Sequence, residues 1–286
     1  MTTPVWLITA SSSGFGKAIA IEALGRGHNV IATARSVSKI DDLRKAGAVT
    51  MALDVTDSPE NLKKLIADAY SKYGHIDYLI NAAGYMLEGA VEEASPEETY
   101  QQFNVNVFGN LNVTRAVLPY MRQQRSGVVA MFGSAGSYYA VPSGALYCAT
   151  KWACSAIGEG LRLELEDFGI TATVIEPGYF RTGFLNQGAM IVTKERLEDY
   201  EETAVGKSRN LLSKVDNKQP GNVVEGARVT VDVLTSSGVA EGQKIPLRIV
   251  LGSDCEQTIR DKFAQTTAYL DEWKDVIRST DYPEGQ

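Results

Sequence analysis

Tyr147 and Lys151 stand four residues apart in the run Tyr147-Cys148-Ala149-Thr150-Lys151, and a hydroxyl-rich turn, Gly133-Ser134-Ala135-Gly136-Ser137, precedes them. Residues i and i+4 project from one face of a helix, so a phenol and an ammonium at this spacing share a single small site. A neighbouring cation favours phenolate, which is expected to lower the tyrosine pKa towards the range where it exchanges a proton near neutral pH. Acid/base chemistry is the function this set suggests. Ordinary helix-surface pairing also produces Tyr-x-x-x-Lys, so the surrounding elements have to decide.

At the N-terminus the apolar run Val5-Trp6-Leu7-Ile8-Thr9 leads through Ala10-Ser11-Ser12-Ser13-Gly14-Phe15-Gly16 into Lys17-Ala18-Ile19-Ala20-Ile21-Glu22-Ala23-Leu24. A buried strand, a small-residue turn and a helix in that order build a phosphate cradle, because glycine lets the backbone approach closely and the helix N-terminus presents free amides to an anion. The next strand, Asn29 to Arg35, ends where dinucleotide folds discriminate the adenosine ribose. An acid there would accept from a 2′-hydroxyl, whereas Ala34 followed by the guanidinium of Arg35 suits a 2′-phosphate. The expected cofactor is NADP(H), with NAD(H) the less favoured choice.

Apolar runs and helical patterns alternate along the chain. Strands are expected at Val5 to Thr9, Asn29 to Ala34, Val49 to Asp54, Tyr78 to Asn81, Val128 to Gly133, Thr171 to Glu176 and Ile245 to Leu251. Helices are expected at about Phe15 to Arg26, Ser38 to Ala46, Pro59 to Tyr73, Pro96 to Gln124, Gly144 to Phe168 and Val223 to Ser236. Continuous rather than alternating hydrophobicity in the strands suits a parallel sheet covered on both faces. The expected fold is α/β: a doubly wound, Rossmann-type, seven-stranded parallel sheet in a single domain over residues 1–286. Gly14, Asp54, Asn81, Ser134 and Pro177 then fall along the carboxyl rim of the sheet, where nucleotide sites form.

Two segments break the pattern. Residues 180–218 are polar and charged with no clear strand; following a rim loop, they are either a substrate lid or a solvated surface insertion, and their position favours the lid. The tail over about residues 253–280 carries Ile259, Phe263, Tyr269, Leu270 and Trp273, and its apolar content predicts a docked C-terminal helix.

With 286 residues, 44% of them hydrophobic, the chain is long enough for a full core. A formal net charge of −7 offers no basic footprint for nucleic acid. No apolar stretch reaches the roughly 20 residues that cross a bilayer, and no secretory leader is seen, so a cytoplasmic protein without membrane contact is expected. Three cysteines suit reduced thiols rather than a disulfide framework, and two histidines away from any cysteine cluster give a metal site little support.

Taken in order, these motifs resemble the short-chain dehydrogenase/reductase family, in its single-domain branch of NADP-dependent hydroxysteroid, retinol-type and natural-product reductases. The resemblance runs from Val5 to Gly252 through Thr9 to Gly16, Leu53-Asp54-Val55, Asn81-Ala82-Ala83-Gly84, Asn104-Val105-Asn106-Val107, Gly133-Ser134, Tyr147 to Lys151 and Glu176-Pro177-Gly178. It implies that Tyr147 exchanges a proton with a carbonyl or alcohol oxygen that Ser134 holds. Lys151 shifts the phenol's acidity and bonds the nicotinamide ribose, and Asn106 holds a water linking Lys151 to solvent. Cofactor contacts are implied for Thr9, Ser11, Gly14, Phe15, Gly16, Arg35, Asp54, Val55, Asn81, Ala82, Ala83, Gly84, Tyr147, Lys151, Pro177, Gly178 and Thr182. Several have structural alternatives: Asp54 as a helix cap, Asn81 as a loop anchor, Thr182 as a turn residue.

The chain departs from the family pattern at Ala10, where glycine is usual; a positive φ there would strain alanine. Ser13 stands where NADP-preferring members often carry a basic residue, leaving Arg35, with Lys17 in support, to meet a 2′-phosphate. Tyr138, Tyr139, Val141, Phe180, Phe184, Leu185 and Met190 are expected around the site, suiting a bulky hydrophobic carbonyl or alcohol. The resulting expectation is an NADP(H)-dependent oxidoreductase working mainly in reduction. The alternatives are a repurposed dinucleotide-binding protein (non-redox cyclase, sensor or assembly partner) and, last, a sugar-nucleotide isomerase or dehydratase. The two long helices, with Ala149, Ala153, Ala156 and Gly160, are expected to permit a homodimer or homotetramer.

Overall fold

Every residue of β1 (Val5–Ile8) is buried, and its side chains alternate between two cores: Val5 and Leu7 enter one, Trp6 and Ile8 the other. A strand apolar on both faces has to lie inside a covered sheet, and it does. The structure, a computed structural model, describes residues 2–185, 190–215 and 218–282. After β1 come α1 (Gly14–Gly25), β2 (Asn29–Ala34), α2 (Asp41–Lys45), β3 (Val49–Ala52), α3 (Pro59–Ser71), β4 (Tyr78–Asn81), β5 (Met86–Glu88) and α4 (Pro96–Phe103). The chain continues through α5 (Asn110–Gln124), β6 (Gly127–Phe132), α6 (Ala145–Glu164), β7 (Ile170–Pro177), β8 (Met190–Val192) and α7 (Ala204–Val215). It closes with α8 (Val223–Leu234), β9 (Arg248–Leu251), α9 (Ser253–Glu272) and α10 (Lys274–Arg278).

Seven strands form one parallel sheet in the order β3-β2-β1-β4-β6-β7-β9. α1 and α8 pack on the face fed by Trp6 and Ile8, and α3, α5 and α6 on the other. This is the doubly wound, single-domain α/β fold that the strand and helix patterns predicted. The strand order reverses between β1 and β4, so the crevice lies beyond their carboxyl ends. Local signals set the helix starts: Ser58 accepts from the Asn61 amide ahead of Pro59, and Ser95 with Glu98 forms a capping box ahead of Pro96.

Three expectations need correction. The helix expected over Pro96 to Gln124 is interrupted by a π-helical turn at Asn104–Gly109, where the Asn106 carbonyl accepts from Asn110 Nδ2 at 2.8 Å and from Cys154 Sγ at 3.1 Å. Residues 180–218 do contain a strand: β8 pairs in parallel with β5, and α7 follows it; residues 186–189 and 216–217 of that segment lie outside the described residues. The tail is helical but scarcely docked, for Cys255 is buried and Ile259 half-buried while every residue from Phe263 to Tyr282 is exposed. Apolar content shows that a helix can bury a face, not that the body has a surface beneath it.

Candidate active site

α6 carries Tyr147 and Lys151 and lies close against the sheet: a Cβ on its Gly158 would collide with Val174 of β7. Tyr147 and Lys151 share the face turned towards the ends of β4 and β6. Lys151 is almost wholly buried, donates from Nζ to the Phe132 carbonyl at 3.0 Å, and lies 5.6 Å from the centroid of the Tyr147 ring. An ammonium has three donors, and that carbonyl takes one. Ser134 follows β6 and caps the turn Ala135–Ser137, accepting from the Gly136 amide at 3.1 Å; its own proton stays available to the Tyr147 phenol beside it.

The Tyr147 ring packs against Met86, Leu185 and Leu212 and lies 5.6 Å from the Phe184 ring. Burial among these groups pushes the phenol well above the usual tyrosine range, and the opposing pull of the Ser134 hydroxyl does not offset it. Burial also lowers the pKa of Lys151. In this cleft desolvation disfavours the charged forms of both residues, the opposite direction to the expected lowering of the phenol by the ammonium. Burial thus holds the Tyr147 phenol in its neutral form.

Both residues border an open cleft whose empty space, counted out to the solvent, is about 1330 Å³. Of the residues singled out from sequence, Gly14, Phe15, Gly16, Ala82, Gly84, Ser134, Tyr147, Lys151, Pro177, Gly178 and Thr182 line it together. Thr9, Ser11, Ala83, Asn81, Asn106, Asp54, Val55 and Arg35 do not. Thr9 Oγ1 accepts from the Ala82 and Ala83 amides at 2.9 and 3.2 Å, tying β1 to the loop after β4, and Ser11 Oγ donates to the Ile8 carbonyl. Asn81 donates to Thr114 Oγ1 and turns away from the cleft. Asn106 bonds both backbone groups of Tyr85 and donates to Thr150. Asp54 holds a turn by accepting from the Thr56 amide and hydroxyl, and Val55 is buried against Gly109. Arg35 is exposed at the end of β2.

Tyr139, Val141, Phe180, Phe184 and Leu185 line the cleft as expected, but Tyr138 and Met190 do not. Tyr138 is buried with its hydroxyl donating to Glu176 Oε2 at 2.8 Å, and Met190 packs behind the lining in the cluster of Met86 and Leu212. Lys17 is paired with Asp42 at 2.6 Å, so it is engaged elsewhere than at a phosphate. Sequence reasoning missed Met86, Cys148, Tyr179, Leu212 and Gln219 in the lining. It also missed Glu176, whose wholly buried carboxyl is pushed up by burial against the pull of Ser155, Tyr138 and Arg248. Cys148 and Glu176 stand inside the quoted runs, but nothing local marks their side chains out; the fold brings these groups together.

A dinucleotide fits the residues present. Ser13 leaves α1 without a side-chain cap, and no acid lies in its first turn, so the amides of Gly14, Phe15 and Gly16 face the cleft open to an anion. Gly14 has φ +55, and a Cβ on Gly16 would stand 2.8 Å from the Ala10 carbonyl. Deeper in, a Cβ on Gly84 would stand 3.3 Å from Asn106 Oδ1 and 3.7 Å from Lys151 Nζ, so its absence leaves space beside the ammonium for a ligand hydroxyl.

The profile of the short chain dehydrogenase family matches residues 4–189. The chain belongs to the short-chain dehydrogenase/reductase family. It is 34% identical over 280 residues to oxidoreductase BOA17 of Botryotinia fuckeliana, covering 96% of this chain and 98% of that protein. It is 37% identical over 204 residues to the 3-ketodihydrosphingosine reductase of Bacteroides thetaiotaomicron, covering 71% and 74% of the two chains. A short-chain dehydrogenase from Streptomyces avermitilis, of known crystal structure, superimposes with a TM-score of 0.88 at 38% identity, over 98% of this chain and all of that one. This dehydrogenase is thus an oxidoreductase of a family whose typical cofactor is a nicotinamide dinucleotide. Among its described residues, no helix is long and apolar enough to cross a membrane.

Proposed function

We propose that this dehydrogenase is an NADP(H)-dependent reductase of bulky hydrophobic ketones, forming secondary alcohols. The observation that carries the reading is the Tyr147 phenol, packed among apolar side chains and sharing one cleft with Ser134 and Lys151. Bound nicotinamide, when reduced, supplies a hydride to the carbonyl carbon. Tyr147 gives its proton to the carbonyl oxygen as negative charge develops there, and the Ser134 hydroxyl donates a hydrogen bond to the same oxygen. Lys151, anchored by the Phe132 carbonyl, keeps two donors for the cofactor's ribose. Gly14, Phe15 and Gly16 would receive the pyrophosphate, and Pro177, Gly178 and Thr182 would border the nicotinamide. Met86, Val141, Phe184, Leu185 and Leu212 exclude water around the substrate, with the described parts of the segment, residues 180–185 and 190–215, acting as the lid.

NADP is favoured over NAD because no acid ends β2, and Arg35, exposed there, takes part in no ion pair among the described residues. The Bacteroides relative is named for reducing a keto compound, which agrees with a ketone substrate. Self-association is part of the same reading: Phe108 beside α5 and Trp152 and Leu163 on α6 are exposed, and a strictly monomeric mass by light scattering would remove it. The decisive experiment mixes purified protein with NADPH and a panel of hydrophobic ketones and follows nicotinamide absorbance. Turnover that Tyr147→Phe abolishes supports the proposal, and equal turnover by the variant refutes it.

A further inference from the structure

The stripe on α6 that begins with Tyr147 and Lys151 continues at the same interval through Ser155 and Glu159. Ser155 is buried, and its Oγ lies 2.8 Å from Glu176 Oε1 and 2.9 Å from Ser137 Oγ. Ser137 Oγ in turn donates to the Lys151 carbonyl at 2.9 Å and accepts from the Ser134 amide at 3.1 Å. Ser155 Oγ has a single proton within reach of both oxygens and shares it between Glu176 Oε1 and Ser137 Oγ, whose own proton goes to the Lys151 carbonyl. One chain of hydroxyls therefore runs from Glu176 to the backbone of both Ser134 and Lys151.

Glu176 is held in place from its other side. Tyr138 donates to its second oxygen, and Arg248 of β9 binds its first while reaching Glu159 from Nε at 2.9 Å. Gly133 lets the loop lie directly on this assembly: a Cβ there would stand 2.6 Å from Ser155 Oγ and 3.0 Å from both Ser137 Oγ and Glu176 Cγ. None of Glu176, Ser155 and Ser137 lines the cleft.

We propose that Glu176 is a positioning residue, which acts through Ser155 and Ser137 to fix the Ser134 loop against the turn of α6 that carries Lys151. The proposal rests on the catalytic reading of Ser134 and Lys151. It differs from a simple strut between β7 and β9, because a strut needs only the Arg248 and Tyr138 branch, whereas positioning needs the Ser155 branch. Small displacements of reacting groups cost rate out of proportion to stability.

Ser155→Ala cuts the relay and leaves the Arg248 and Tyr138 bonds to Glu176 in place; Tyr138→Phe removes the Tyr138 bond and leaves the relay and the Arg248 bond in place. Amide hydrogen exchange on the ligand-free protein is expected to accelerate about tenfold at Ser134 in Ser155→Ala, with kcat for ketone reduction falling about tenfold and both KM values within about twofold. Tyr138→Phe is expected to lower the melting temperature while keeping the parental exchange rate at Ser134 and the parental kcat. Parental exchange at Ser134 in Ser155→Ala, or an equal acceleration in Tyr138→Phe, overturns the proposal. Should the parent reduce none of the ketones, the catalytic reading fails, and the exchange rates still decide whether the relay holds the loop.

Discussion

Lys151 Nζ lies 5.6 Å from the centroid of the Tyr147 ring, close enough for attraction, yet the phenol is pushed up by burial rather than pulled down by the ammonium. A group whose pKa is raised keeps its proton to higher pH. Ketone reduction is therefore expected to hold level from neutral pH and to decline only above about 10, the ordinary tyrosine value. Tyr147→Phe should lower kcat by about 10²- to 10⁴-fold with cofactor binding kept. A reduction rate that falls away between pH 7 and 9 in the parent enzyme would argue that the cofactor, once bound, reverses the balance.

Ala10 has φ +51, in the region that favours glycine, and its carbonyl lies under Gly16 at the entrance to α1. Ala10→Gly is expected to relieve about 1 kcal/mol of backbone strain, raising the melting temperature by a few degrees. Calorimetry on the ligand-free protein measures it. An unchanged or lowered melting temperature would mean that the added freedom of glycine in the unfolded chain cancels the relief.

Arg35 and Lys17 are separated by their partners. Lys17 is bound to Asp42, whereas Arg35 is exposed at the end of β2. Arg35→Asp is expected to weaken NADPH binding by at least about tenfold while leaving NADH binding similar, since one charge-assisted contact is worth about 1.5–3 kcal/mol. Lys17→Ala should leave the ratio of the two dissociation constants where it was. Fluorescence titration of both nucleotides reads both variants, and an unmoved ratio in Arg35→Asp would remove the basis for NADP preference.

These outcomes also mark what one-dimensional information carries. β1, β2 and β4 were legible because strands buried on both faces are written as continuous apolar runs, and Tyr147 with Lys151 because a helical interval is written directly in the chain. The strands β5 and β8 have three residues each, too few for any period to emerge. Lys17 looked like a phosphate ligand because its partner, Asp42, lies on another helix. Glu176 and Arg248 are 72 residues apart, and only the pairing of β7 with β9 brings them together. Burial raises the pKa of the Tyr147 phenol, and spacing is silent about burial.

Arg209 of α7 is itself about nine-tenths buried and binds Glu88, Glu93 and Glu201, so one guanidinium ties α7 to β5 and the loop after it. Glu93 is almost wholly inside, and burial pushes its pKa up; Arg209 and the amides of Leu197 and Ala90 outweigh this and bring it below the usual carboxylate value. A carboxylate depressed in the folded state stabilises the protein above its unfolded pKa of about 4.3, and that contribution is lost as pH falls through the folded value. Arg209→Met leaves the buried Glu93 without a cationic partner and Glu88 with Arg196 alone, so a loss of about 3–5 kcal/mol at neutral pH is expected. Acidification from pH 7 to about 4 should narrow the gap between parent and variant, because protonating Glu93 costs the parent stability and relieves the variant. Denaturant unfolding at several pH values measures that gap. A gap of constant size would show that the Glu93 charge is not what Arg209 stabilises, and that the guanidinium acts by packing alone.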